Sequence, residues 1–299
     1  AVVVTYNPDP EQLARLCQAV QPQVEHVVLV DNGSSAETLA ALQALVEGPS
    51  SALTLLAQGE NRGIGAAQNA GIAMARQHGS RYVLLLDHDS IPEADMVATL
   101  RAAIEDQPAG SPPVAAAGPR YADARQTTNP SPFVQLEGFK RVRCECQHAG
   151  QLIEVEHLIA SGSLIPMAVL DAVGDMDERL FIDYVDIEWC LRAAHAGYRM
   201  LGVCDARMQH ELGDTPIRFM GKHLPDHSPL RHYYLFRNAL LLQRMPHIGW
   251  RWKVVDAYQT VMKYGFYALV ATPRLPRIRM MNRGLWDGLL GRGGAYQPR

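Results

Sequence analysis

The sequence predicts an α/β fold with a mostly parallel sheet, followed by a helical segment. Three observations predict it. Short apolar runs of strand length recur through the first 118 residues, helical segments separate them, and the chain after Ser228 reads as helical throughout. Consecutive strands joined by helices make right-handed βαβ crossovers, and so a parallel sheet.

Ala1–Thr5 is an apolar strand, and Pro10–Val20 carries Leu13, Leu16, Cys17 and Val20 on one helical face. His26–Val30 is a second strand, and Ser35 caps a helix that runs to about Val46. Leu53–Ala57 and Tyr82–Leu86 are the third and fourth strands, flanked by helices over Gly65–His78 and Glu93–Ile104. Val114–Gly118 is a fifth strand. From Pro119 to His157 the rhythm breaks into Pro, Asn, Thr and charged residues, which predicts a variable loop or antiparallel ribbon that includes Phe139–Cys144. Regular structure returns at Pro166–Val173, Val185–Ala196 and Tyr198–Cys204, and helices follow over Leu230–Arg244, Trp250–Leu269 and Ile278–Leu290. The expected organisation is one α/β unit over residues 1–225, with halves at 1–118 and 119–225, and a basic helical segment over 226–299.

Net charge is −3, but from Arg231 onward there are twelve Lys/Arg against two Asp/Glu. That asymmetry suggests either an anionic partner or a basic layer packed on an acidic one. Five scattered cysteines suit a reducing compartment better than a disulfide framework. Cys144-x-Cys146 with His148 lacks the four-ligand spacing of a structural zinc site. The first residues read as a strand rather than a signal peptide, and the apolar run Tyr264–Thr272 is too short to span a bilayer.

The chemistry concentrates at strand ends. Tyr82–Leu86 runs into Asp87-His88-Asp89-Ser90. Two carboxylates at the carboxyl edge of a sheet repel each other unless a hard divalent cation lies between them, and such cations bridge to substrate phosphates. Thr5-Tyr6-Asn7 ends the first strand, and Asp31-Asn32-Gly33 ends the second. The Asp31 carboxylate suits a nucleoside N–H or a ribose hydroxyl, and equally a tight turn. Asn61-Arg62-Gly63 opens a small-residue helix containing Asn69. It suits a phosphate or close helix–sheet packing. Asp186 and Glu188 begin the helix at Val185, where a carboxylate can serve as a general base or simply decorate a helix N-terminus. His210 follows a strand and could add an imidazole to the metal site.

Val-Val-Thr-Tyr-Asn-Pro, Val-Asp-Asn-Gly-Ser, Asn-Arg-Gly-Ile-Gly-Ala-Ala-Gln-Asn, Leu-Asp-His-Asp-Ser and Phe-Ile-Asp-Tyr-Val-Asp-Ile-Glu-Trp-Cys-Leu-Arg occur in this order over residues 1–215. The set resembles family 2 glycosyltransferases of the GT-A fold, and most of all the bacterial rhamnosyltransferases that use dTDP-L-rhamnose. Their tails resemble Pro229–Asn238. The resemblance implies that Thr5, Tyr6, Asn7, Asp31, Asn32, Asn61, Arg62, Gly63, Asn69, Asp87 and His88 form the donor-nucleotide site. It implies Mg²⁺ or Mn²⁺ at Asp87, Asp89 and His210, catalysis by Asp186 with Glu188, and an acceptor site at Ser161, Gly162, Asp183 and Trp189. Val185 stands where the family's motif usually has Glu, and His88 where it often has Gln.

The implied reaction is inverting transfer from a dTDP-sugar to a hydroxyl of a surface glycan, such as a lipid-linked O-antigen or an exopolysaccharide. The implied place is the cytoplasm, with the basic helices resting on the inner membrane or forming a lid or homo-oligomer interface, and with no nucleic-acid partner. A galactofuranosyl or other UDP-hexosyl transferase is the alternative within the class. A non-catalytic binder of nucleotide-sugars or glycans is the alternative outside it, and such a binder would not need Asp186.

Overall fold

The computed structural model describes residues 1–48, 52–122, 133–210, 217–219, 222–224 and 227–298. Its first half alternates β1 (Val2–Thr5), α1 (Pro10–Val20), β2 (Val27–Asp31), α2 (Ala36–Val46), β3 (Leu53–Ala57), α3 (Ile64–Gln77), β4 (Tyr82–Asp87), β5 (Ser90–Pro92), α4 (Met96–Glu105) and β6 (Val114–Ala122). A hairpin of β7 (Phe133–Glu137) and β8 (Lys140–Cys144) follows, then β9 (Leu152–Val155), β10 (Leu164–Pro166), α5 (Met167–Val173), α6 (Val185–His195) and β11 (Arg199–His210). After the short pair β12 (Ile217–Phe219) and β13 (Lys222–Leu224) come α7 (Pro229–Gln243), α8 (Trp250–Leu269) and α9 (Arg274–Leu289).

The central sheet runs β3-β2-β1-β4-β10-β6-β11-β5, with β9 paired to β11. β3, β2, β1 and β4 are parallel, as are β6 and β11. All four residues of β1 and all five of β2 are buried, because helices cover both faces of this half. Asp9 caps α1 by accepting from the Glu11 and Gln12 amides, Pro10 opens the helix, and the Leu13, Leu16, Cys17 and Val20 face is buried. Ser35 caps α2 through the Thr38 amide.

Two features depart from the expected parallel order. The three-residue β10 inserts antiparallel between β4 and β6, and β5 pairs antiparallel with the end of β11. The second pairing sets His210 opposite Ser90, next to the carboxyl end of β4. A third departure concerns the cysteines. Cys146 and Cys204 form a disulfide that ties the segment after β8 to β11. Cys17, Cys144 and Cys190 are free thiols. Cys146 is therefore not a zinc ligand with Cys144 and His148, and a disulfide is present where the scattered cysteines suggested a reducing compartment.

Among the described residues of 119–157, β7 and β8 pair antiparallel around Gly138 as a ribbon. The C-terminal helices are continuous with the sheet's packing. Ala239, Leu242, Ile248 and Trp252 belong to the same apolar cluster as Val2, Leu85 and Trp189. α9 lies tight against α7 at Gly284, where a Cβ would stand 2.3 Å from the Tyr233 carbonyl oxygen. No helix among the described residues is long and apolar enough to cross a membrane.

Candidate active site

The carboxyl ends of β1, β2 and β4 open into a cleft of about 580 Å³, closed on its far side by residues 181–187 and by α7 and α8. Asp87 ends β4, Asp89 follows one residue later, and His210 ends β11. The ligand atoms of these three side chains all lie within 4.8 Å of one another. Asp89 Oδ1 is 3.2 Å from His210 Nδ1 and is buried without a hydrogen bond.

Two carboxylates and an imidazole with a carboxylate oxygen left unbonded are the donor set of a hard divalent cation. Burial, then the neighbouring Asp89 charge, raises the pKa of Asp87. Burial acts to raise Asp89 too, but the neighbouring His210 imidazole outweighs it and holds its carboxyl below the usual value. Behind the cluster runs a buried hydroxyl relay. The Asp87 amide donates to Ser161 Oγ (3.0 Å), Ser161 Oγ meets Ser90 Oγ (2.7 Å), and Ser90 Oγ meets His210 Nδ1 (2.8 Å). Ser161 thus supports the carboxylate–imidazole cluster as well as lining the cleft. Ser90 was missed from sequence, although its place directly after Asp-x-Asp was the available signal.

The nucleotide side divides into residues on the cleft wall and residues behind it. Tyr6, Asn32, Asn61, Gly63 and His88 are on the wall. Asn32 and Asn61 bond side chain to side chain (3.2 Å), and Asn32 Oδ1 accepts the Arg62 amide (2.9 Å). Gly63 sits at φ +90°, and a Cβ there would lie 2.6 Å from the Phe181 carbonyl oxygen.

Asp31 is buried behind the wall. Its carboxylate accepts from the Gly33 and Ser34 amides, from Thr5 Oγ and from Ser34 Oγ, so it builds the turn after β2. Asn7 joins that turn by accepting the Ser35 amide (2.9 Å). Asn69 bonds the Met176 amide and carbonyl and Glu178, which fastens α3 to the loop after α5. Arg62 lines a neighbouring groove with Glu178 and Arg179. Sequence reading missed Gln68, which is buried on the cleft wall with its Oε1 unpartnered.

On the opposite wall of the cleft, Phe181, Asp183 and Tyr184 all hold positive φ (64°, 63° and 66°). Non-glycine residues in this region cost ~1–3 kcal/mol each and persist only when neighbours hold them. Here α7 holds them. The Asn238 amide donates to the carbonyls of Leu180, Ile182 and Asp183 at 2.8, 2.8 and 2.9 Å. Arg237 donates to Arg179 and Leu180 carbonyls, and Arg231 pairs with Asp183 at 3.1 Å. Tyr234 stacks on Phe181, and the Tyr184 hydroxyl donates to Asp256 on α8.

This turn presents Asp186 into the cleft, within electrostatic reach of Asp87. Burial raises the Asp186 pKa and Asp183 adds to the effect, while His157 and the Ile187 amide work against it. Glu188 faces away, because two residues along a helix rotate a side chain to the other side. It is buried against Arg192 and His247, each at 2.9 Å. Trp189 is buried with its indole N–H on the Gly174 carbonyl, and Gly162 packs against Pro119 while its amide bonds Leu85. Neither lines the cleft.

Removing the Asn238 amide leaves the Ile182 and Asp183 carbonyls without this donor, while the Leu180 carbonyl keeps Arg237. Asn238→Ala is expected to lose about 2–4 kcal/mol of stability, since each unmade buried hydrogen bond costs ~1–3 kcal/mol. Urea unfolding checks this value.

Residues 1–149 match the family model described as Glycosyl transferase family 2. Over 302 aligned residues, 99% of this chain and 97% of the relative, the sequence is 34% identical to dTDP-rhamnosyl transferase RfbF of Shigella flexneri. The chain belongs to glycosyltransferase family 2. Galactofuranosyltransferase GlfT1 of Mycobacterium tuberculosis is 26% identical over 299 residues, covering 96% of this chain and 91% of the relative. The crystal structure of GalNAc-T7 with UDP, GalNAc and Mn²⁺ superposes with a TM-score of 0.59 at 15% identity, over 91% of this chain and 57% of that longer one. The fold of this glycosyltransferase is thus GT-A, with C-terminal helices packed along one wall of the cleft.

Proposed function

We propose that this glycosyltransferase moves L-rhamnose from dTDP-L-rhamnose to a hydroxyl of a surface-glycan acceptor, with inversion at the anomeric carbon. The observation that carries the chemistry is Asp186 facing Asp87, Asp89 and His210 across one cleft. The near full-length likeness to a dTDP-rhamnosyl transferase supports the choice of donor.

In this reading the acceptor oxygen attacks the anomeric carbon from the side of Asp186, which takes the hydroxyl proton. The bond from that carbon to the diphosphate breaks, and dTDP leaves on the opposite side. Asp87, Asp89 and His210 are the residues that would hold Mg²⁺ or Mn²⁺, whose positive charge would offset the negative charge of the leaving diphosphate. Asn32, Asn61 and Tyr6 flank the nucleotide, and the relay through Ser161 and Ser90 keeps the His210 ring oriented.

A donor panel tests the proposal. Nucleoside diphosphate release is expected to be fastest from dTDP-L-rhamnose. Preferential use of UDP-galactofuranose would favour the second reading, which the GlfT1 likeness motivates. Binding of nucleotide-sugars without any release would replace the enzyme with a binder.

A further inference from the structure

We infer that the outer face of α8 and α9 is a docking surface for an anionic phospholipid membrane. Among the described residues, ten of the fourteen exposed large apolar side chains fall between residues 250 and 290. On α8, Trp250, Val254, Tyr258, Val261 and Leu269 recur at helical spacing, and Tyr258, Val261 and Leu269 are 66%, 69% and 72% exposed. α9 and its approaches add Leu275 at 79% and Trp286 at 57%. A monomeric soluble surface scatters such residues, whereas an apolar stripe on helices marks an interaction face.

Charge selects the occupant. Arg251, Arg274 and Arg279 are exposed on the same two helices. The two acids of this segment, Asp256 and Asp287, are 1% and 4% exposed, and Asp287 is paired with Arg283 and Arg292. The face therefore presents arginine, tryptophan and aliphatic groups with no exposed side-chain carboxylate among its described residues. A second copy of the chain fits poorly, because a two-fold interface sets a patch against itself and would bring these arginines together unneutralised. An anionic headgroup layer supplies the missing negative charge, and the apolar groups can enter the acyl boundary. α8 is about 30 Å long at ~1.5 Å per residue, and it would lie along the surface rather than cross it.

The inner face of α8 contributes Asp256 and Lys263 to the cleft. One helix thus faces the cleft on one side and the proposed lipid surface on the other, and the docking surface does not rest on the transfer reading above.

The test floats the full chain with phosphatidylcholine vesicles carrying or lacking phosphatidylglycerol, at low and high salt. Flotation is expected with the anionic vesicles at low salt, about tenfold less without phosphatidylglycerol or at high salt, and with a blue shift of tryptophan emission. Val261→Glu with Leu269→Glu, both exposed and outside the cleft, is expected to cut vesicle binding about tenfold and to leave dTDP release from dTDP-rhamnose in vesicle-free solution unchanged. Absence of flotation, or equal flotation of the double variant, overturns the surface. So does a dimer in sedimentation velocity that the double variant breaks while vesicles bind neither form. Vesicle binding without turnover of any nucleotide-sugar would keep the surface and remove the transfer reading, and turnover without vesicle binding would do the reverse.

Discussion

Asp186→Asn is expected to lower kcat by about 10²–10⁴-fold, the usual contribution of a positioned base. Affinity for dTDP stays within about twofold, because the nucleotide wall lies on the other side of the cleft and the loss falls on the chemical step. The variant keeps the size and shape of the side chain and loses only its charge, so folding is not at issue.

The pH dependence carries the same signature. Burial holds the Asp186 carboxyl above its ordinary value. In the wild type kcat is therefore present above that raised value and lost as pH falls through it, while the Asn variant lacks this acid limb. Stability has the opposite sign. A carboxyl whose pKa is higher in the folded state favours folding when protonated, and that contribution is lost as pH rises from the ordinary carboxylate range through the raised value. The Asn variant is consequently expected to melt at or above the wild-type temperature at neutral pH. Wild-type turnover in Asp186→Asn would remove the base assignment.

Asp89→Ala is the second large effect. It deletes a carboxylate whose Oδ1 is buried with no hydrogen bond and lies 3.2 Å from His210. A bound cation contributes several kcal/mol to stabilising a departing diphosphate, so kcat is expected to fall by at least about 10²-fold. The part of dTDP affinity that depends on Mn²⁺ is expected to vanish in calorimetry with and without the ion. Asp87 should titrate closer to an ordinary carboxylate in this variant, because the Asp89 charge is one of the two main influences raising it. Unchanged Mn²⁺-dependent binding would move the cation elsewhere.

The parallel half of the sheet was legible because its strands are buried on both faces and read as continuous apolar runs. β10 was not, since three residues ending in Pro166 carry no period, and only its pairing with β4 and β6 defines it. The Cys146–Cys204 pair spans 58 residues, which spacing alone does not connect. At the site, Asp87, Asp89, Asp186 and His210 came from motif positions at strand and helix ends. The sequence left Asp31 open between a nucleoside contact and a turn, and the bonds from Thr5, Gly33 and Ser34 show the turn. Glu188 shares a motif with Asp186 but not a helix face. Arg237 and Asn238 stood in a recognisable run, yet their job depends on carbonyls 55–58 residues away, which no local pattern reports.

The grip of α7 on the turn before Asp186 means the α/β portion cannot be shortened to a working catalyst. A fragment ending before Pro229 would retain every nucleotide-facing residue of the first half yet lose Arg231, Arg237 and Asn238. Such a truncation would also strip Ala239, Leu242, Ile248 and Trp252 from the core they share with Leu85 and Trp189, so the cut would cost the fold of the cleft together with its chemistry.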